Sequence, residues 1–298
     1  MSKVDNNKVF VVTGATSGIG LAITEGLLKK TNHVIGIGRS PERCKQQLER
    51  LQEMYPAQMI SYLVADLSLQ PEIRAVAREI ELVLKDWEKK HLDGLINNAG
   101  TFSFWQKLTS EGFETQWAVN HLAPFLLTNL LLPVLNNSTN ARVITVSSGS
   151  HYGAKLNWND IQELGRYNPL KAYKYTKLAN VIFTSELSRR LGPDSPIRCA
   201  AADPGLVNTG IGEKTGSQIA KKIWGRRRKK GITAEQSAAG ILKLLGETDL
   251  SQTPEIYWKH GKPKKPNPFA LDKDNGWRLW EISAQMTGIS KTRILQKT

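Results

Sequence analysis

The chain has 298 residues, 40% apolar and 23% charged, with a net charge of +14 and two cysteines. This is enough apolar material for a sizeable core, in one large domain or two small ones. Cys44 and Cys199 cannot form a disulfide framework in a chain this long, and His33, His91, His121, His151 and His260 show no metal-ligand spacing.

The N-terminal MSKVDNNK has no apolar core of a signal peptide, and no segment approaches roughly 18 consecutive apolar residues. The expectation is therefore a soluble, cytoplasmic protein without a transmembrane segment. Much of the positive charge lies in KKIWGRRRKK (221–230) and KHGKPKKP (259–266). Such clusters attract anionic partners or form solvated loops. A nucleic-acid partner is not expected. Peripheral contact with an anionic membrane through Lys221, Lys222, Trp224 and Arg226 to Lys230 is one expectation for the first cluster.

In chain order, KVFVVT (8–13) predicts a strand, followed by a Gly-rich turn and a helix to Lys30. HVIGIGR (33–39) predicts the second strand, and Pro41 opens a helix to about Met54. MISYLVA (59–65) is the third strand, before a helix over about 71–90. GLIN (94–97) is the fourth, before a long apolar helix over about 113–135. RVITVS (142–147) and IRCAAAD (197–203) are the fifth and sixth strands, with a helix from Pro169 to Leu191 between them. A helix starting near Thr233 precedes EIYW (255–258), a seventh strand. Strands alternating with long helices imply βαβ units. The expected fold class is α/β: a single doubly wound Rossmann-type parallel sheet with helices on both faces. One domain is expected over 1–298, with substrate-loop insertions near 149–168 and 210–232.

The first strand runs into Thr13-Gly14-Ala15-Thr16-Ser17-Gly18-Ile19-Gly20. Gly14 permits a tight turn, Gly18 lets backbone approach a pyrophosphate, and Gly20 allows close helix–strand packing. The helix N-terminus offers free N–H groups to phosphate. A dinucleotide site is therefore expected. At the end of the second strand stands Arg39, with no acid before Glu42. A guanidinium suits a 2′-phosphate where an acid would bond a 2′-hydroxyl, which argues for NADP(H).

These motifs, in this order, resemble the short-chain dehydrogenase/reductase family. TGATSGIG is followed by Asp66-Leu67, Asn97-Asn98-Ala99-Gly100, VNHLAPFLLTNLLL with Asn120, VITVSS ending in Ser147-Ser148, Tyr173-xxx-Lys177, and Asp203-Pro204-Gly205. VNHLAPFLLTNLLL, AYKYTKLANVIFTSELSRRL and DPGLVNT are similar to the retinol dehydrogenase branch. The resemblance implies catalysis by Asn120, Ser148, Tyr173 and Lys177. It implies NADP(H) contacts at Gly14, Thr16, Ser17, Gly18, Ile19, Gly20, Arg39, Asp66, Leu67, Asn98, Ala99, Gly100, Tyr173, Lys177, Pro204, Gly205, Val207 and Thr209. It also implies a homodimer paired through the helices carrying Asn120 and Tyr173.

RYNPLKAYKYTK (166–177) holds two Tyr-xxx-Lys pairs. Asn168-Pro169 reads as a cap and first helical residue, which leaves Tyr167 outside the helix. Tyr173 and Lys177 then share a helix face. A nearby ammonium would lower the phenol pKa, so that Tyr173 can exchange a proton with a carbonyl oxygen. Ser148 would bond that oxygen, Asn120 would hold a water near Lys177, and His151 would line the pocket or serve as an ordinary loop residue. The expected reaction is hydride transfer between NADP(H) and a small carbonyl or alcohol substrate. The alternative is an NADP(H)-binding sensor or scaffold without turnover.

Overall fold

The computed structural model describes residues 7–207, 231–246, 248, 250 and 255–290. Thr209 and the basic cluster 221–230 lie outside these residues.

Eight strands form one sheet in the order β3-β2-β1-β4-β5-β6-β7-β8. They are β1 (Val9–Thr13), β2 (His33–Gly38), β3 (Ile60–Val64), β4 (Gly94–Asn97), β5 (Ala141–Val146), β6 (Ile197–Asp203), β7 (Tyr257–Lys259) and β8 (Lys262–Pro263). All neighbours are parallel except β7 and β8. The antiparallel β8 is an addition to the expected seven strands. His260 and Gly261 turn the chain between β7 and β8 with φ of 50° and 71°. The second basic cluster thus forms a hairpin whose outer strand carries a lysine and a proline, two residues that discourage further pairing at a sheet edge.

Side chains alternate between the faces of each strand, so both faces need cover. Val9 and Val11 join a core formed with α3 (Gln70–Asp86), α5 (Ala123–Asn136), α6 (Pro169–Leu191) and α8 (Lys273–Thr287). Phe10 and Val12 join the opposite core, with α1 (Gly18–Leu28), α2 (Pro41–Gln52) and α7 (Ala234–Gly246). The strand order reverses between β1 and β4. That reversal opens the crevice where sheets of this kind bind ligands, beyond the carboxyl ends of their strands.

The apolar helix expected over 113–135 is not uniform. It runs from α4 (Thr115–Trp117) through a π turn (Ala118–Leu122) into α5. The π turn inserts an extra residue into the helical repeat and frequently marks a functional position. Asn120 stands at its centre. The whole stretch, Thr115–Asn136, is long and apolar enough to cross a membrane, with mean hydropathy 1.5 and 78% of the window buried within the fold. A count of consecutive apolar residues misses it because Asn120, His121, Thr128 and Asn129 interrupt the run. These four side chains are themselves buried. The expectation that no segment has this character is corrected accordingly.

The 149–168 stretch is also more than a polar insertion. It begins with a 3-10 turn (Gly149–Gly153) and buries Leu156 and Ile161 in a third apolar cluster with Tyr175, Leu178 and Ile182 of α6.

Candidate active site

The Gly-rich turn is built as its composition requires. Gly14 and Gly18 have φ of 66° and 55°, in the left-handed region that favours glycine. A Cβ on Gly20 would lie 2.2 Å from the Gly14 carbonyl oxygen, so only glycine lets α1 start this close to β1. Ser17 precedes α1 without capping it by its side chain, and the first turn holds no acid. The helix therefore presents its positive end, with backbone N–H groups, to an anion. The Tyr62 hydroxyl donates to the Ala15 carbonyl at 3.0 Å and holds the turn from behind.

Thr13 joins this turn to the loop after β4. Its hydroxyl accepts from the Asn98 and Ala99 amides, both at 2.9 Å. The Asn98 side chain donates to the Thr13 carbonyl at 2.8 Å. Motifs 85 residues apart thus form one rigid rim. Thr13 was missed in sequence, where it reads as the last β-branched residue of a strand. Arg39 is exposed just past β2. Gly38 brings that strand end onto the turn, since a Cβ there would meet Thr16 Cγ2 at 2.5 Å. Glu42 faces away from this role by accepting from the Ser40 hydroxyl at 2.7 Å. Asp66 Oδ1 accepts from the Ser68 amide at 2.9 Å, and Leu67 is buried beside it.

The proposed reactive side chains converge at the carboxyl ends of β4 and β5. A Cβ on Gly100 would lie 3.5 Å from Asn120 Oδ1 and 3.6 Å from Lys177 Nζ. Asn120 is fully buried, and its amide is engaged: Oδ1 accepts from the Thr101 amide at 2.7 Å, and Nδ2 donates to the Thr101 carbonyl and the Thr176 hydroxyl. The side chain thus pins the loop after Gly100. Lys177 is buried and donates to the Val146 carbonyl at 3.1 Å. The two serines point apart, as strand alternation requires. Ser147 donates to the Lys177 carbonyl at 2.7 Å, whereas the Ser148 hydroxyl accepts from the Ser150 amide at 3.2 Å and lies near enough to Tyr173 to favour its phenolate.

Lys177 Nζ lies 5.6 Å from the centre of the Tyr173 ring. The expected fall in the phenol pKa is not found. Burial pushes Tyr173 up to about 12, against the effect of the Ser148 hydrogen bond, and the Asp203 charge adds to the rise. Burial also brings Lys177 down to about 8. Desolvation disfavours both charged forms and outweighs their mutual attraction.

Tyr167 lies outside α6, as the Asn168-Pro169 start requires. Asn168 caps the helix by accepting from the Lys171 amide at 3.0 Å. The Tyr167 hydroxyl accepts from Gln116 Nε2 at 2.7 Å and reaches Glu114 Oε1 at 3.1 Å. Its role is to brace α4. Tyr167→Phe should lower stability by about 1–2 kcal/mol, because it strips one partner from buried polar groups. Turnover should stay within roughly threefold, since the change leaves the Ser148–Tyr173 pair in place. Denaturant titration with steady-state rates checks both.

His151 is buried. Its Nδ1 lies 2.8 Å from the Ser148 carbonyl, and Nε2 accepts from the Asn267 amide at 3.1 Å. Burial holds its pKa below the usual value. A neutral imidazole with the proton on Nδ1 satisfies both contacts. Beyond β6, Pro204 is buried and its carbonyl accepts from the Ser237 hydroxyl, while Gly205 (φ 78°) packs against the His260 ring. Val207 bridges to Ile232.

With this geometry, a crevice at a topological reversal, an uncapped helix N-terminus and a serine–tyrosine–lysine group, comparison with known proteins is decisive. The short chain dehydrogenase family model matches residues 8–220, and the chain belongs to that family. It is an oxidoreductase of the kind that binds a nicotinamide cofactor. It is 33% identical to human polyprenol dehydrogenase over 95% of this chain and 86% of that protein. It is 31% identical to human retinol dehydrogenase 13 over 97% of this chain and 87% of that protein. An uncharacterized protein from Mycobacterium paratuberculosis shares the fold, with a TM-score of 0.74, 30% identity, and coverage of 95% of this chain and 94% of that one.

These relatives are named for apolar, lipid-soluble alcohols. Together with the long apolar helix Thr115–Asn136, they overturn the expectation of a cytoplasmic protein. That expectation rested on consecutive apolar residues and on the N-terminal composition, neither of which registers an apolar helix with buried polar interruptions.

Proposed function

We propose that the chain catalyses NADP(H)-dependent hydride transfer between nicotinamide and the C=O or CH–OH group of an apolar substrate. The observation that carries this reading is the meeting of Asn120 and Lys177 at Gly100, with the Tyr173 ring 5.6 Å from Lys177 Nζ and Ser148 acting on its phenol, beside a glycine turn shaped for a dinucleotide. The fit to that cofactor rests on Gly14 and Gly20, where a Cβ would press on Ala99 and on the Gly14 carbonyl oxygen and displace the turn, and on the free end of α1.

The dinucleotide would be held by the turn from Gly14 to Gly20, by Arg39 at the ribose, and by Asp66, Leu67, Asn98, Ala99 and Gly100 along the adenine and ribose side. Bound there, it supplies or accepts the hydride. The protein's own groups handle the proton and the oxygen. Ser148 donates a hydrogen bond to the substrate oxygen as negative charge builds on it. Tyr173, protonated at neutral pH, gives its phenolic proton to that oxygen in reduction and regains one in oxidation. Lys177 supports the phenolate formed in the reductive direction. Asn120 fixes the loop carrying Gly100 and Thr101, which sets the floor under both. Phe102, its ring edge-on to Tyr173 at 5.7 Å, and Phe104 beyond it offer an apolar wall to the substrate. This wall and the names of the curated relatives support an apolar alcohol or its carbonyl counterpart.

The test is a panel of aliphatic, aryl and isoprenoid aldehydes and ketones, followed by NADPH absorbance with NADH in parallel. NADPH should be consumed with at least one apolar carbonyl, and no consumption with any would remove the reading. Arg39 gives a separate check on the cofactor. Arg39→Glu should lower the NADPH-to-NADH preference in kcat/KM by about tenfold or more, because a carboxylate repels the 2′-phosphate and favours a 2′-hydroxyl. An unchanged ratio would move cofactor selection away from Arg39.

A further inference from the structure

Asp203 ends β6 as a buried carboxylate whose two oxygens are each held by a separate donor. The Gly205 amide donates to Oδ1 at 2.9 Å, and the Tyr257 hydroxyl donates to Oδ2 at 2.8 Å. Donors on both oxygens match an ionised, acceptor-only carboxylate. The ion pairs of the described residues lie elsewhere. A buried charge with no ion-pair partner among the described residues is costly and persists only where the surrounding fold holds it. Its position points to the reaction site: a Cβ on Gly149, the residue after Ser148, would lie 3.3 Å from Asp203 Oδ2. No step proposed above uses this group.

We propose that Asp203 is a positioning residue for proton transfer. Its carboxylate, clamped by Tyr257 and Gly205 against the Ser148–Gly149 turn, keeps Tyr173 in its proton-donating form to higher pH. The inference rests on Tyr173 being the acid of the proposed reaction.

The charges acting on this corner come from five elements. Lys177 and Tyr173 lie on α6, together with Lys174, which faces Gly153. Ser148, His151 and Tyr152 follow β5, and the His151 ring is neutral in its hydrogen-bonding pattern. Asp203 ends β6. Tyr257 lies on β7, with a phenol that the adjacent carboxylate and burial both hold protonated. Lys264, after β8, sits 4.7 Å from the centre of the Tyr152 ring, and its charge acts on His151. Lys177 is thus the cation on the Tyr173 side and Asp203 the anion. A negative charge opposes formation of a second one nearby. Asp203 therefore counteracts the ammonium, and the phenol persists to higher pH than Lys177 alone would allow.

The experiment compares pH profiles of kcat/KM in both directions for wild type, Asp203→Asn and Tyr257→Phe, using NADP(H) and a carbonyl–alcohol pair turned over by the wild type. Asparagine keeps the shape and an acceptor for Gly205 but removes the charge. In Asp203→Asn, the limb on which oxidation rises with pH should move down by about one pH unit. Tyr257→Phe keeps the charge and should leave the limb in place. An equal loss at every pH with an unmoved limb would make Asp203 purely structural and overturn the proposal. Should Asp203→Asn fail to fold, the wild-type profile decides. Reduction should persist to about pH 9 or above, whereas a reductive limb below about pH 8 would contradict a protected phenol. Tyr173→Phe, run alongside, separates the two ideas. If it retains turnover, the proposed mechanism fails; if it is inactive and the limb is unmoved in Asp203→Asn, only the role of Asp203 fails.

Discussion

Tyr173→Phe should lower kcat/KM for the proposed carbonyl reduction by about 10³-fold, within the range attributed to loss of a positioned general acid. The substitution removes one oxygen and little volume, so the Phe102 edge contact and the α6 backbone should persist. Cofactor affinity should change by less than about tenfold, because only the proton donor is lost. The split between an intact Kd and a collapsed kcat distinguishes a chemical role from a packing one. Stopped-flow measurement of NADPH binding, followed by single turnover, reads both quantities. A parallel loss in binding and rate would instead indicate that Tyr173 holds the site together.

Gly20→Ala is the second large effect, and it acts on the opposite quantity. The new methyl would sit 2.2 Å from the Gly14 carbonyl oxygen and 2.5 Å from Asn98 Nδ2. The first obstacle is backbone, so relief requires the turn to move away from β1. That movement breaks the alignment of the α1 N-terminus with the anion it would bind. A shift of about 1 Å in such a site can cost about 100-fold in function. The affinity for NADPH should fall by at least that factor, and the thermal stabilisation normally conferred by excess NADPH should largely vanish. The variant itself should also melt several degrees lower, as overpacking of about 1–3 kcal/mol implies. Differential scanning fluorimetry with and without NADPH checks both parts. Retention of the full ligand-induced shift would refute the close-packing account of this glycine.

Much of the site is legible because its parts obey local rules. The Asn168-Pro169 start of α6 is a capping pattern, and it separates Tyr167 from Tyr173 without any tertiary information. Ser147 and Ser148 diverge because successive strand residues face opposite ways. The Gly14–Gly20 turn follows from positive φ and close approach, both of which only glycine meets. The parts that stay hidden depend on contacts between distant segments. Thr13 gains its role from Asn98 and Ala99, and Asp203 gains its surroundings from Tyr257 and Gly149, neither of which sequence spacing can place. The helix α8 was passed over, although Asp272 caps it and Gly288 ends it, because its mixed composition (Trp277, Arg278, Trp280, Glu281) hides the face that packs on α6. The π turn at Ala118–Leu122 is marked in the sequence only by Pro124, which has no N–H to continue the helical ladder at the Asn120 carbonyl. The pKa of Tyr173 was misjudged in direction because the sequence shows that Lys177 is one turn away but not that both side chains are desolvated.

The central claim is that hydride passes from the dinucleotide to a carbonyl carbon while Tyr173 supplies the proton. The most direct measurement is single-turnover transfer of deuterium from NADPH deuterated at both C4 positions to an apolar aldehyde accepted by the wild type, read by mass spectrometry of the alcohol. The account predicts one deuterium on the carbinol carbon with wild type and a rate about 10³-fold lower with Tyr173→Phe. Alcohol formed without the label, or labelled at an equal rate by Tyr173→Phe, would contradict it.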